Sequence, residues 1–229
     1  MKYDGKTALP VILRAADDYE KNLRDYNLLF VCCDKHNRIY SIEVEFNASN
    51  FLHLTGVELT ENFMKSVTVG REGNKSSFAN KFYEKCINKR LSIRDFKLSK
   101  DGTTQLKLEI LPRLMKKDLS ANAIGDFGTY HIKLYTEKIV GSSNGCMGFV
   151  FDNKVKKSVP NTVLKVDIRN ISSETRRILI TYRKKKCEKD YSEIVHIANK
   201  VDWEKIKLPE ELSHLHLPNF EKNDNKTEN

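Results

Sequence analysis

No stretch of this 229-residue sequence approaches the run of roughly 20 apolar residues that a membrane-spanning helix needs, so no membrane partner is expected. The N-terminal stretch also reads as a poor secretory signal. The opening MKYDGKTALPVILRAADDYEK has an apolar patch of only a few residues with acidic side chains soon after, and a cytoplasmic location is expected. The five cysteines form no CxxC pair, and Cys32 and Cys33 are adjacent; an odd, scattered set supports neither a disulfide framework nor a zinc knuckle. GxxxxGK[ST], GxGxxG after a strand and HExxH are all absent, which removes the usual footholds of ATP, dinucleotide and zinc-protease chemistry. His214 and His216, two apart, fit a surface loop, and no metal site or cofactor is expected.

What is present is positive charge. The net charge is +9 and the pI near 9.2. Twelve Lys or Arg stand against four Asp or Glu between Lys154 and Asp190. A concentrated basic face draws polyanions, and a nucleic acid is the first partner to consider; a solvated lysine-rich surface is the plainer alternative.

Hydrophobic residues make up 39% of the chain and charged residues 31%, as in a globular domain. Residues 8–25 carry Leu9, Ile12, Leu13, Ala16, Tyr19 and Leu23 at helical spacing. YNLLFVCCD and RIYSIEVEF, separated by KHN, read as a hairpin. SSFANKFYEKCINKR reads as a helix with a serine cap, and LKLEILPRLM as another that Pro112 kinks or restarts. From Phe127 the period moves toward two in TYHIKLYTEKIV, CMGFVF, NTVLKVDI, RRILITYRK and YSEIVHIA, which predicts an antiparallel sheet. The order predicts an α+β fold with the helices on one face of the sheet. Residues 1–216 are expected to form one domain and 217–229 a disordered tail.

The residues suit metal-independent cleavage of RNA, which needs an acid, a base, and cations for the phosphoryl oxygens. In KLYTEK, alternation turns Lys133, Tyr135 and Glu137 one way and Leu134, Thr136 and Lys138 the other. VPNTVLKVDIR adds Asn161, Thr162 and Lys165; RILITYRKKK adds Thr181, Arg183, Lys184, Lys185 and Lys186. His53, inside the apolar run FLHLTGV, is either a satisfied core histidine or a titratable group aimed at substrate. His131 and His196 read as structural or surface residues, and His36 as a turn residue.

The succession FLHLTGV, FYEKCINKRLSIRDF, DGTTQLKLEILP, IGDF, KLYTEKIVG, GFVF, VPNTVLKVDIR and RILITYRK, from about residue 26 to 200, resembles the fourth phage-linked group of the barnase, EndoU, colicin and RelE-like ribonucleases. The resemblance implies N-terminal helices on a curved antiparallel sheet with the active site on its concave face. It implies a ribonuclease or toxin-like nuclease of a phage or mobile element, using the substrate's 2′-hydroxyl as nucleophile. It puts the family histidine on His53 and the polar strand positions on Thr136, Lys138, Asn161 and Thr162. His53, Thr55, Thr136, Lys138 and Arg183 are the expected catalytic set, Thr136 and Lys138 sharing the cleft. Tyr135, Asn161, Thr162, Lys165, Lys184, Lys185 and Lys186 are expected on substrate. The expected partners are RNA, either tRNA or mRNA, and an immunity or antitoxin protein. Two other readings stand beside this one: a non-catalytic nucleic-acid or nucleotide-binding module, and a protein-interaction component of a phage or mobile-element system.

Overall fold

The computed structural model describes residues 2–67, 75–128 and 134–217, with the side chains of 75–77 left aside. Helix α1 (Gly5–Tyr19) is capped by Asp4, whose carboxylate accepts from Thr7 N–H, and buries Ala8, Ile12, Ala15, Ala16 and Tyr19 at the spacing the sequence predicts. A π turn (Glu20–Arg24) leads into β1 (Tyr26–Cys33), which forms the expected hairpin with β2 (Ile39–Glu45). Asp34 ties that turn by accepting from the backbone N–H groups of His36 and Arg38 and from the Arg38 side chain.

Helix α2 (Ala48–Thr55) follows, then β3 (Glu58–Leu59), α3 (Glu61–Ser66), α4 (Lys75–Ile87), β4 (Phe96–Lys97) and α5 (Thr103–Leu114). Pro112 lies inside α5 without ending it, two residues before the helix stops. The second half is β5 (Ala123–Phe127), β6 (Lys138–Ser142), β7 (Gly145–Asp152), β8 (Lys157–Leu164), β9 (Ser172–Lys185) and β10 (Glu193–Ile197). Helix α4 starts at Lys75, so the serines predicted to cap it, Ser76 and Ser77, stand inside the helix; the strand residues 129–133 with His131 and Lys133 and the tail from 218 onward lie outside the described residues.

The sheet departs from expectation in two ways. It is mixed, because β2 meets β8 in parallel through the single register pair Val44 and Ser158. It also closes: the order β1-β2-β8-β7-β6-β5-β9 returns to β1 through a β1–β9 pairing, and β10 is added outside β9. One cluster of buried side chains draws on all seven ring strands, including Phe30, Val44, Ile124, Val140, Phe149, Val163 and Ile178, which only the inner face of a ring allows. Helices α1, α2, α4 and α5 bury their apolar faces in that same cluster.

The helices occupy one end of the ring. Arg183 on β9 donates to Asn22 O beyond α1, Lys186 reaches Asn47 ahead of α2, and Gly145 at the start of β7 faces Ile110 of α5. At this end Tyr19 gathers Phe46, Phe51 and Tyr83 at ring-centroid distances of 6.0, 5.3 and 5.6 Å, contacts that bind α1 to β2, α2 and α4. The outer face of β1 and β9 is covered by the C-terminal segment through Leu212 and Leu215.

Helix α2 ends on Gly56 in the left-handed region (φ 69°), and Thr104 Oγ1 donates to Gly56 O at 2.6 Å. A Cβ on Gly56 would sit 2.5 Å from Lys107 Cδ. Gly56→Ala is therefore expected to lose about 1–2 kcal/mol from the left-handed backbone alone. Urea unfolding checks this: the midpoint should fall with the slope unchanged.

Candidate active site at the ring mouth

The motif that drew attention first is largely a helix terminus. His53 and Thr55 lie on one helix, two residues and about 200° apart, so they face different ways. His53 is exposed on α2, whereas Thr55 is fully buried and donates to Leu52 O at 2.7 Å. His53 offers its backbone carbonyl to Lys107 Nζ at 2.8 Å, which joins α2 to α5. The expectation that both side chains point into one cleft fails because FLHLT is helical rather than extended.

At the ring end away from the helices lies a cleft of about 560 Å³. Its floor is Cys32, Ile42 and Ile124, and its rim holds Lys138, Arg176, Glu137, Tyr40, Phe151, Lys156, Lys157 and Ser158. The alternation of β5 puts Ile124 and Asp126 on the inner face, and pairing brings Asp126 opposite Lys138 on β6. Lys138 Nζ is bonded to Asp126, Arg176 donates to Asp126 at 3.0 Å and to Glu174 at 2.7 Å, and the Arg176 guanidinium lies 4.6 Å over the Tyr40 ring. Burial pushes the Asp126 carboxyl up, but Lys138 and Arg176 outweigh it and hold the group below the ordinary carboxylate value. Burial pushes the Cys32 thiol up to about 12, so the floor is apolar and not nucleophilic.

Four basic and two acidic residues line this cleft, and among the described residues none of the lining is a histidine. The arrangement suits an anion: two cations that line the cleft are held by one shared carboxylate.

Of the predicted residues, Lys138 is in the cleft. Thr136 is not. The alternation expected through KLYTEK breaks, because residues 134–137 are outside any regular strand. Lys138 pairs with Phe149, an inner residue, whereas Thr136 reaches Gly148, whose register partners Ile139 and Thr162 face outward. A bulge in β8 at the same level turns Asn161 and Thr162 toward Gly148 together, and Asn161 Nδ2 holds the Tyr135 carbonyl. Thr136, Asn161 and Thr162 thus form a cluster on the other face of the sheet, with Tyr135 exposed beside it.

Arg183 and Lys138 do not meet either. Seven residues of β9 separate Arg183 from Arg176, roughly 23 Å at strand rise. Arg183 is buried, donates to Glu193 and Asn22 O, and stacks 4.0 Å over the Tyr26 ring. Lys165 is paired with Glu109 on α5. Lys184 lies 4.6 Å over Tyr191 and donates to Lys189 O, and Lys185 is exposed. Lys186 donates to Phe46 O and Asn47, and burial lowers its pKa against the opposing pull of Glu45.

Sequence reading missed Arg176, Asp126, Glu137, Tyr40 and Phe151 as site residues. Asp126 stood in the quoted IGDF, but its partners become visible only through the ring.

Two outcomes test these placements. Arg183→Ala should destabilise by about 2 kcal/mol, the worth of hydrogen bonds to a charged group, and leave oligonucleotide affinity unchanged. Thermal melts with an anisotropy titration check it; a large affinity loss in a stable variant would return Arg183 to the site. Burial lowers the Lys107 pKa to about 8. Between about pH 8 and the unfolded value near 10.4 the unfolded chain holds more protons, so this lysine makes stability rise with pH in that window. Wild type should therefore gain on Lys107→Met across it in paired urea midpoints.

Neither a curated protein nor a solved structure matches the chain. No helix among the described residues is long and apolar enough to cross a membrane. A family model does match, across residues 11–200, and with it the chain belongs to the phage-Barnase-EndoU-ColicinE5/D-RelE like nuclease4 family.

Proposed function

We propose that this protein is an endoribonuclease that cleaves RNA in the ring-mouth cleft without a metal ion, the nucleophile being the substrate's own 2′-hydroxyl. The observation that carries the reading is the pairing of Lys138 with Arg176 across Asp126 in an open cleft of a basic chain. In a nuclease family, two fixed cations with spare donors are what a pentavalent phosphorane requires. Lys138 and Arg176 take the non-bridging oxygens. Glu137, the carboxylate that lines the cleft next to Lys138, takes the proton as the 2′-oxygen bonds to phosphorus. The bond to the 5′-oxygen breaks, and that oxygen gains its proton at the open rim from Lys156 or solvent. The product ends are a 2′,3′-cyclic phosphate and a free 5′-hydroxyl. The group acts as part of a phage or mobile-element system in the cytoplasm, where a partner protein that covers the mouth serves as its immunity factor.

The test is cleavage of labelled RNA in EDTA. Lys138→Ala is expected to lower the rate on the order of 10²-fold and Glu137→Gln by 10²- to 10⁴-fold, both with unchanged melting temperature. His53→Ala should retain most activity. A folded Lys138→Ala at wild-type rate, with His53→Ala inactive, would move the site to the α2–α5 junction. Scission at a position carrying a single 2′-deoxy sugar would overturn the mechanism wherever the site lies.

A further inference from the structure

Along β7, alternation turns Met147, Phe149 and Phe151 toward the inside of the ring. The first two are fully buried in the main core; Phe151 lies past the level the helices reach and is 47% exposed. Its register partner across the hairpin is Ser158, too small to cover an aromatic ring. Its backbone N–H donates to Glu137 Oε2 at 3.2 Å, which fixes where the residue stands on the rim. The hairpin tip that follows, Asp152–Lys157, carries Lys154, Lys156 and Lys157, and Phe151, Lys156 and Lys157 line the same cleft as Lys138 and Arg176.

A large apolar ring held in the open, ringed by cations and beside a phosphate-sized cluster of donors, has the chemistry of a base-stacking platform. We infer that Phe151 stacks an unpaired base next to the phosphate held by Lys138 and Arg176, and that the substrate class is single-stranded or looped RNA rather than duplex. This rests on the function proposed above and adds its strand preference. A base inside a duplex has both faces covered by its neighbours and has no π face to offer; an unstacked base does. Phe151 is a positioning residue: it touches the base, and the lysine and arginine touch the phosphate.

The test uses the full chain and a short 2′-O-methyl RNA strand carrying one 2-aminopurine, which lacks the nucleophile and reports stacking as well as affinity. Phe151→Ala should weaken single-strand binding on the order of 5- to 100-fold, the range that one lost base stack gives. It should leave the weaker binding of the matched duplex unchanged and, on cleavable RNA, raise KM more than it lowers kcat. Phe151→Trp should keep affinity with deeper 2-aminopurine quenching, and Phe151→Leu, apolar but without a π face, should behave like alanine. Equal single-strand affinity in wild type and Phe151→Ala, or a wild-type preference for duplex, overturns the inference. Wild type that binds and quenches the blocked strand yet never cuts its 2′-hydroxyl counterpart overturns the nuclease reading alone. Cleavage unaffected by Phe151→Ala overturns the stacking role alone.

Discussion

The pairing of β9 with β1 is the contact on which the rest of the molecule depends. β9 is fourteen residues long, and its two halves have different neighbours: Ser172 to Arg177 face β5, and Arg177 to Lys185 face β1. One strand therefore joins the N-terminal hairpin to the C-terminal meander and closes the ring. Closure removes the exposed edges that an open sheet would leave on β1 and β9. It also fixes what lies at each end. Arg176 is at the mouth, Arg183 at the helical end, and a bulge between Val31 and Cys32 lets Ile178 keep facing the core while the outer side receives Leu179 and Ile180.

The mouth stays polar because the helices fill only the opposite end. Side chains pointing inward from β5, β6 and β9 change there from Ile124, Val140 and Ile178 to Asp126, Lys138 and Arg176. Three charges in one place need mutual compensation, and a single carboxylate shared by two cations leaves an excess of one positive charge, part of which Glu174 offsets. On the proposed function, a phosphate would meet side chains already held in place, so less reorganisation would be needed on binding than free lysine and arginine would require. The Tyr40 ring under Arg176 has the same effect, holding the guanidinium flat without consuming its N–H donors.

Strongly periodic elements were legible in the sequence. The apolar positions of α1 and α4, the β1–β2 hairpin, and the runs that became β7, β9 and β10 all follow spacings that burial enforces. α2 was not legible, since its eight residues hold Phe51, Leu52 and Leu54, a spacing too short to separate from an extended apolar run. Ring closure was not legible either: Leu28 meets Arg183 across more than half the chain, and no local pattern announces such a pair. The facing of Thr136 and Lys138 was misread for a different reason. Alternation holds only while the backbone stays regular, and the irregular stretch at 134–137 opposite the Asn161 bulge puts the two on different faces. Lys138 was recovered from its strand; Arg176, hidden in the polar run SSETRR, needed the β5 pairing to give it a role.

The basic segment between Lys154 and Asp190 runs through several elements of the ring. β8 and β9 carry its charges to both ends of the ring, Lys156 and Lys157 to the mouth and Lys184, Lys185 and Lys186 to the helical end. Lys157 and Lys186 nevertheless share one carboxylate, Glu45, at 3.6 and 3.5 Å, so the two groups meet there and act on an approaching polyanion together. Part of the helical group is already engaged, Lys186 with Glu45, the Phe46 carbonyl and the Asn47 side chain and Lys184 with Tyr191. Long-range attraction set by net charge brings nucleic acid to the protein as a whole. On the proposed function, selection of the mouth falls to the lysines of the β7–β8 hairpin, which stand beside the cluster of Lys138 and Arg176 on Asp126 at the cleft.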